Sequence, residues 1–308
     1  IEEKYSKNKI DIRGVIFQNL LPEELRKVTG SYHTRSDAAE ILASISINDS
    51  KSTVMDLSCG SGKLLVASNH RINELHKNNA LNQIFGVELM QIPSCLAVIN
   101  LFLENPDVKS STNIANSDSL HLEPDSQISM LKSNESTSKI SKVDTIIMNP
   151  PFTRQESLEK NQKDALETRF SKYDIVDKRI GLHGYFILLG NEFLKNNGTM
   201  ALVLPATVLR IESFTKLRKF LVENFQIKYL ISSNKSSSFS YGSRFREILL
   251  VIKKTAPKKS DKTRIGVLNE KPVIGKNVKD IISSLTKKSI KNSKEMELID
   301  IDNSVFSQ

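Results

Sequence analysis

Between residues 52 and 254, short apolar runs alternate with longer segments of helical period. The runs "STVMDL" (52–57), "QIFGVE" (83–88), "STNIAN" (111–116), "VDTIIM" (143–148), "GTMALVLP" (198–205), "FQIKYLI" (225–231) and "REILLVIKK" (246–254) have strand lengths and are rich in β-branched residues. Amphipathic spacing predicts helices over about 62–78, 91–104, 183–196 and 212–223. Strand followed by helix, repeated, predicts an α/β fold: a doubly wound, seven-stranded, mostly parallel sheet covered on both faces. The last two strands are joined only by "SSNKSSSFSYGS", too short for a crossover helix, so the final strand is expected to run antiparallel. Upstream, "GVIFQNLLPEELRKVTGSYHTRSDAAEILASISI" reads as N-terminal helices broken near Gly30. Two polar excursions, 121–142 and 153–182, read as loops or insertions of the kind that form lids. The organisation expected is a helical segment over 1–48 packing on a catalytic domain over 49–254, then a basic extension over 255–308.

Composition narrows the class. With 39% hydrophobic and 26% charged residues the chain has ordinary globular proportions. No apolar run approaches the roughly 18 residues of a membrane span, so no membrane role is expected. The opening "IEEKYSKNKID" lacks the apolar core of a secretory signal, although residue 1 is not Met. Cys59 and Cys95 form no disulfide framework, and a reducing cytoplasm is the expected location; no metal site is expected. Of the net charge of +9, +6 arises from Lys253 onward, where 13 basic face 7 acidic residues. Tracts such as "KKTAPKKSDKTR" suit phosphate contacts, but equally a solvated face, and charge alone does not decide.

Candidate chemistry enters with "VMDLSCGSGKLL". It places Asp56 at a strand end, then a turn with Gly60 and Gly62, then a helix whose N-terminus offers free N–H groups to anionic atoms. The string "GSGK" is similar in part to a phosphate-binding P-loop, but Leu57 and Leu64 stand where that motif needs Gly and Ser or Thr. Leu65 likewise replaces the third glycine of a dinucleotide fingerprint. Glu88 ends the second strand, where a carboxylate can take both hydroxyls of a ribose, and Asp118 lies just past the third. Each acid alone has a bland reading as a turn or cap residue; together beside two glycines they predict a nucleoside crevice.

The fourth strand ends on "NPPF". Proline holds the preceding residue extended and gives no N–H, so Asn149 and Pro150 leave the ladder with the Asn149 side-chain oxygen and the Pro150 carbonyl available as two rigid acceptors. Two converging acceptors suit an amine with two hydrogens, and Phe152 offers a face for a planar ring extruded from a duplex.

"DLSCGSG", "GVE", "NSDSL" and "IIMNPPF", in that order and spacing, resemble the S-adenosylmethionine-dependent amino-methyltransferases that act on adenine in DNA. "GSYHTRSDAAEIL" is similar to their upstream tyrosine-threonine motif, and the later strands resemble modification subunits of type I restriction systems; about residues 25–254 are covered. The resemblance implies that Tyr32, Thr34, Asp56, Gly60, Gly62, Glu88 and Asp118 bind S-adenosylmethionine. It implies that Asn149 and Pro150 hold the target amine while Phe152 and Phe239 stack on the base, with Tyr241 or Phe245 as substitutes for Phe239. Leu57, Lys63 and Arg35 depart from the family's usual residues, and "TRSD" also has the spacing of a helix capping box. The implied partner is DNA, with recognition by a separate specificity subunit or a C-terminal recognition domain. Related amino-methyltransferases acting on RNA bases or on protein glutamine share the Asn-Pro-Pro motif, and an inactive DNA-binding subunit is a further alternative.

Overall fold

The computed structural model describes residues 33–76, 80–105, 112–131, 136–152, 159–175, 180–235, 239–243, 245–290, 292–303 and 305. Tyr32 and most of the segment 1–48 lie outside the described residues. Within them the chain runs α1 (Ser36–Ser46), β1 (Val54–Asp56), α2 (Lys63–Leu75), β2 (Ile84–Glu88), α3 (Gln91–Glu104), β3 (Asn113–Asn116), β4 (Ser126–Met130), β5 (Ser136–Ile140), β6 (Val143–Met148) and α4 (Lys160–Arg169). There follow α5 (Gly181–Phe193), β7 (Leu194–Pro205), α6 (Thr215–Asn224), β8 (Gln226–Ser233), β9 (Glu247–Lys253), β10 (Lys262–Leu268), α7 (Val278–Thr286) and β11 (Met296–Asp302).

The large sheet has the order β11-β10-β8-β9-β7-β6-β1-β2-β3. β1 pairs in parallel with both β2 and β6, β2 with β3, and β6 with β7. β9 runs antiparallel to both β7 and β8, as the short Ser-rich connection requires. The sheet winds outward in both directions from the β1–β6 pair, and ligands of doubly wound sheets bind outside the carboxyl ends of the strands at such a reversal. The alternation along β7 explains its unbroken apolar run. Ala201 and Val203 enter the core under α1 and α2. Met200, Leu202 and Leu204 enter the core under α5 and α6.

The expected seven strands become nine. Residues 262–268 pair in parallel with β8 and antiparallel with 296–302, so the basic tail lengthens the same sheet. Gly266 and Leu268 of β10 supply the inner face, with α7 packed on it through Val278, Ile281 and Leu285. Across this pair Arg264 holds Asp300 in a two-pronged bond, Nε to Oδ1 at 2.8 Å and Nη2 to Oδ2 at 2.9 Å. The excursion 121–142, where the polar composition predicts a loop or insertion, carries the β4–β5 hairpin, and α4 lies inside the second such segment, 153–182. Among the described residues no helix is long and apolar enough to cross a membrane.

Candidate active site

The turn after β1 is built on two left-handed glycines, Gly60 at φ +53° and Gly62 at φ +80°. A Cβ on Gly60 would meet nothing within 4 Å, so the backbone there faces open space. A Cβ on Gly62 would lie 3.0 Å from Ala97 Cβ, so this position is glycine both for its φ and for the approach of α3. Glu88, at the end of β2, reaches back to the loop: its Oε2 accepts the Gly60 N–H at 2.9 Å and its Oε1 the Met90 N–H at 2.9 Å. The Leu89 N–H adds a third backbone bond to this carboxylate.

Asp56 is fully buried at the end of β1 and accepts the Ser58 N–H at 2.9 Å. Burial, with the neighbouring Glu88 adding to it, pushes its carboxyl up to about 8. Burial pushes Glu88 up as well, while its bonds to backbone N–H groups pull it down. Cys59 lies beneath the loop with its thiol pushed far up by burial and by both carboxylates, which makes it a packing residue and not a nucleophile. Asp118 caps the short turn Ser119–His121 by accepting the Leu120 N–H at 3.0 Å, and the Ser119 hydroxyl donates to the Leu57 carbonyl, tying this turn to the glycine loop.

The Asn-Pro-Pro-Phe turn sits against that loop: the Ser58 hydroxyl reaches the Asn149 carbonyl at 3.4 Å. The Asn149 Nδ2 donates to Thr34 Oγ1 and to Ser240 Oγ, each at 3.1 Å. Both amide hydrogens are thereby used, so Oδ1 points away from the hydroxyls. Thr34 is therefore not the cap of α1: that position belongs to Arg35, whose side chain makes no capping bond, so the capping-box spacing of "TRSD" is not used. Instead Thr34 and Ser240 form an antiparallel bridge, flanked by Arg35 N–H to Phe239 carbonyl and Tyr241 N–H to His33 carbonyl, both at 2.8 Å. His33 Nδ1 lies 3.2 Å from Ser61 Oγ on the glycine loop. His33, Thr34, Asp56, Gly60, Lys63 and Asn149 thus line one crevice.

The aromatic positions differ in access. Phe152 is 9% exposed and meets the His183 ring edge-on at 6.3 Å. His183 is buried against Phe214, and burial holds its imidazole down at about 4, so it is neutral near pH 7. Phe239 is 1% exposed and belongs to the apolar core with Phe152, whereas Tyr241 at 36% and Phe245 at 42% are open. As placed here Phe239 has no free face, because its backbone is fixed by Arg35 and Glu247 while its ring packs inward. Sequence reading missed His33, Ser58, Ser240 and Glu247. A carboxylate opening the otherwise apolar strand β9 was the available signal.

A family model described as N-6 DNA Methylase matches residues 8–304. The methylase subunit of the type I restriction enzyme MpnII from Mycoplasma pneumoniae is 27% identical over 266 residues, covering 83% of this chain and 47% of that protein. The type II methyltransferase M.BstVI from Geobacillus stearothermophilus is 27% identical over 174 residues, 56% of this chain and 30% of that one. This chain thus spans about half or less of the length of these relatives. A modification subunit of a putative type I restriction enzyme from Vibrio vulnificus has the same fold at TM-score 0.67 with 17% identity, covering 93% of this chain and 59% of that structure.

Proposed function

The chain belongs to the N-6 DNA methylase family, and on that premise we propose that it transfers the methyl group of S-adenosylmethionine to the exocyclic amine of adenine in DNA, within a restriction-modification system. The observation that carries the reading is the juxtaposition of two loops. The Asn149 turn, with its amide hydrogens held by Thr34 and Ser240, lies against the glycine loop through the Ser58–Asn149 contact.

The residues fit the cofactor. The open backbone at Gly60 and the N-terminus of α2 suit a nucleoside with a charged tail. Glu88 stands at the end of β2 beside the glycine loop for a ribose diol, Asp118 stands near for the adenine, and Asp56 and Thr34 border the methionine part. When bound, S-adenosylmethionine supplies a methyl group made electrophilic by a positively charged sulfur.

This chain's residues do the rest. Asn149 Oδ1 and the Pro150 carbonyl accept the two hydrogens of the target amine. That draws its nitrogen out of conjugation and localises the lone pair toward the crevice, so positioning and electrostatics supply the catalysis. Phe152 takes one face of the extruded base, and of the residues around 240 the exposed Tyr241 or Phe245 suits the other face better than Phe239. The Mycoplasma relative is a subunit, which supports recognition by a separate specificity subunit; a further recognition domain is the other form it could take.

Transfer of labelled methyl from S-adenosylmethionine to DNA, RNA and protein in parallel tests the reading. Label is expected in adenine of DNA; label in RNA or protein alone would overturn it.

A further inference from the structure

The helix α3 is apolar on both sides. It enters the core through Ala97 and Leu101, and its polar residues turn inward with them. Ser94 Oγ donates to the Gln91 carbonyl at 2.7 Å and Asn100 Nδ2 to the Ser61 carbonyl at 2.9 Å. The outer face carries Ile92, Cys95, Ile99 and Phe102, at spacings of three, four and three, with Leu89 and Leu103 beside them. Ile92 is 59%, Ile99 43% and Leu103 53% exposed, and Cys95 is open as well. No charged residue interrupts α3 before Glu104. The outer face of α6, by contrast, carries Lys216, Lys219 and Glu223. A helix apolar all round belongs inside a protein, and this spacing is the one by which a second helix packs against a first. Such a face calls for a cover.

The size of the face and the course of the chain indicate which cover. α3 has 14 residues, about 21 Å of helix, so its seam alone offers a second copy on the order of 200 Å² per partner against the roughly 800 Å² of a stable interface. A segment of the same chain needs far less, because the tether sets its effective concentration. Residues 1–32 precede the described part, and every other stretch outside the described residues has six residues or fewer. His33 stands close to α3: its Nδ1 lies 3.2 Å from Ser61 Oγ, and the Ser61 carbonyl takes the Asn100 amide. The preceding sequence carries Ile16, Phe17, Leu20, Leu21, Leu25 and Val28, apolar residues three and four apart as one face of a helix presents them. Even wholly helical, such a segment reaches about 48 Å, over twice the length of α3.

We propose that the segment 1–32 lies along the outer face of α3, with its apolar residues between Ile16 and Val28 closing the seam of Ile92, Cys95, Ile99 and Phe102. The helix so covered is the one that holds the glycine loop, through the approach of Ala97 to Gly62 and the Asn100–Ser61 bond. The placement does not depend on the reaction proposed above.

Cys95 reports on the contact in the full chain, since Cys59, the other cysteine, is buried. With a maleimide in excess, Cys95 should react roughly tenfold or more slower in the folded chain than in urea, by the same factor at every protein concentration. Phe17→Asp combined with Leu21→Asp should raise the rate to about that in urea while circular dichroism shows the fold retained. Chains grown with photo-leucine and mixed as isotopically light and heavy pools give the second readout. Irradiation should join Leu96 or Leu103 to the tryptic peptide 14–26 within single chains. Reaction of Cys95 as fast as in urea overturns the proposal, as do cross-links that miss 14–26 or protection that the double variant leaves in place. Protection that fades on dilution, or cross-links between light and heavy chains, overturns it in favour of a second copy. If the double variant does not fold, the cross-links decide alone.

Discussion

Asn149 Nδ2 donates to Thr34 Oγ1 at 3.1 Å, joining positions 115 apart in the chain. Thr34 lies on the same short bridge that brings His33 to Ser61 of the glycine loop. The group proposed to hold the methyl acceptor and the loop proposed to hold the donor are therefore set by one small set of side chains.

Asn149→Ala removes one of the two acceptors proposed for the target amine without touching the glycine loop. Methyl transfer should fall by about 10²–10³-fold, the scale of losing one preorganised polar group in a transition state. Calorimetry should find S-adenosylmethionine binding retained. Wild-type turnover in this variant would sink the assignment.

The two loop glycines should respond differently to alanine. At Gly60 the φ of +53° costs about 1–2 kcal/mol, and the added methyl enters open space. Gly60→Ala should fold and lose cofactor affinity. Gly62→Ala adds the 3.0 Å approach to Ala97 Cβ to a φ of +80°, so its melting temperature should fall further. Thermal unfolding with and without cofactor separates the two effects.

Asp56 makes stability depend on pH. Its carboxyl is pushed from 3.8 to about 8 in the fold, chiefly by burial. Between those values the folded chain holds a proton that the unfolded chain has released, so stability contributed below the lower value is lost as pH rises through the upper one. Asp56→Asn removes this dependence. Its melting temperature relative to wild type should therefore climb from pH 5 to pH 9, even though cofactor binding is impaired. A flat difference across that range would contradict the buried, protonated carboxyl.

The aromatics near residue 240 separate stacking from core packing. Phe239→Ala should lower stability by about 3–5 kcal/mol, as expected for emptying a buried aromatic site. Tyr241→Ala and Phe245→Ala should leave the melting temperature nearly unchanged. Whichever of those two stacks on the target should weaken DNA binding or transfer, with a fluorescent base analogue in the target position as the reporter.

The central strands were legible because burial on both faces leaves a continuous apolar signature, as in "VDTIIM" and "TMALVLP". The first residues of β7, "LKNN", were not, since polar side chains there pair irregularly where the register to β6 shifts. β4, β5, β10 and β11 escaped because few of their residues are buried, and serines, lysines and acids blur the alternation. In the crevice, Asp56, Glu88 and Asn149 could be read from strand ends, because a parallel sheet carries all such ends to one edge. Ser240 could not: its meeting with Asn149 follows from the pairing of 33–35 with 239–241, a long-range register with no local trace. The family resemblance makes Phe239 the aromatic that stacks on the base, and the same pairing turns it inward.

The two-pronged Arg264–Asp300 bond bears on how any hold on DNA would vary with salt. Each phosphate that a protein neutralises releases counterions, and the slope of affinity against salt counts them. A guanidinium already engaged by a carboxylate of the neighbouring strand releases none, and Lys262 faces Asp302 in the same register. The slope measured for this chain should accordingly be shallower than its lysine and arginine content suggests, because part of that positive charge holds the edge of the sheet closed.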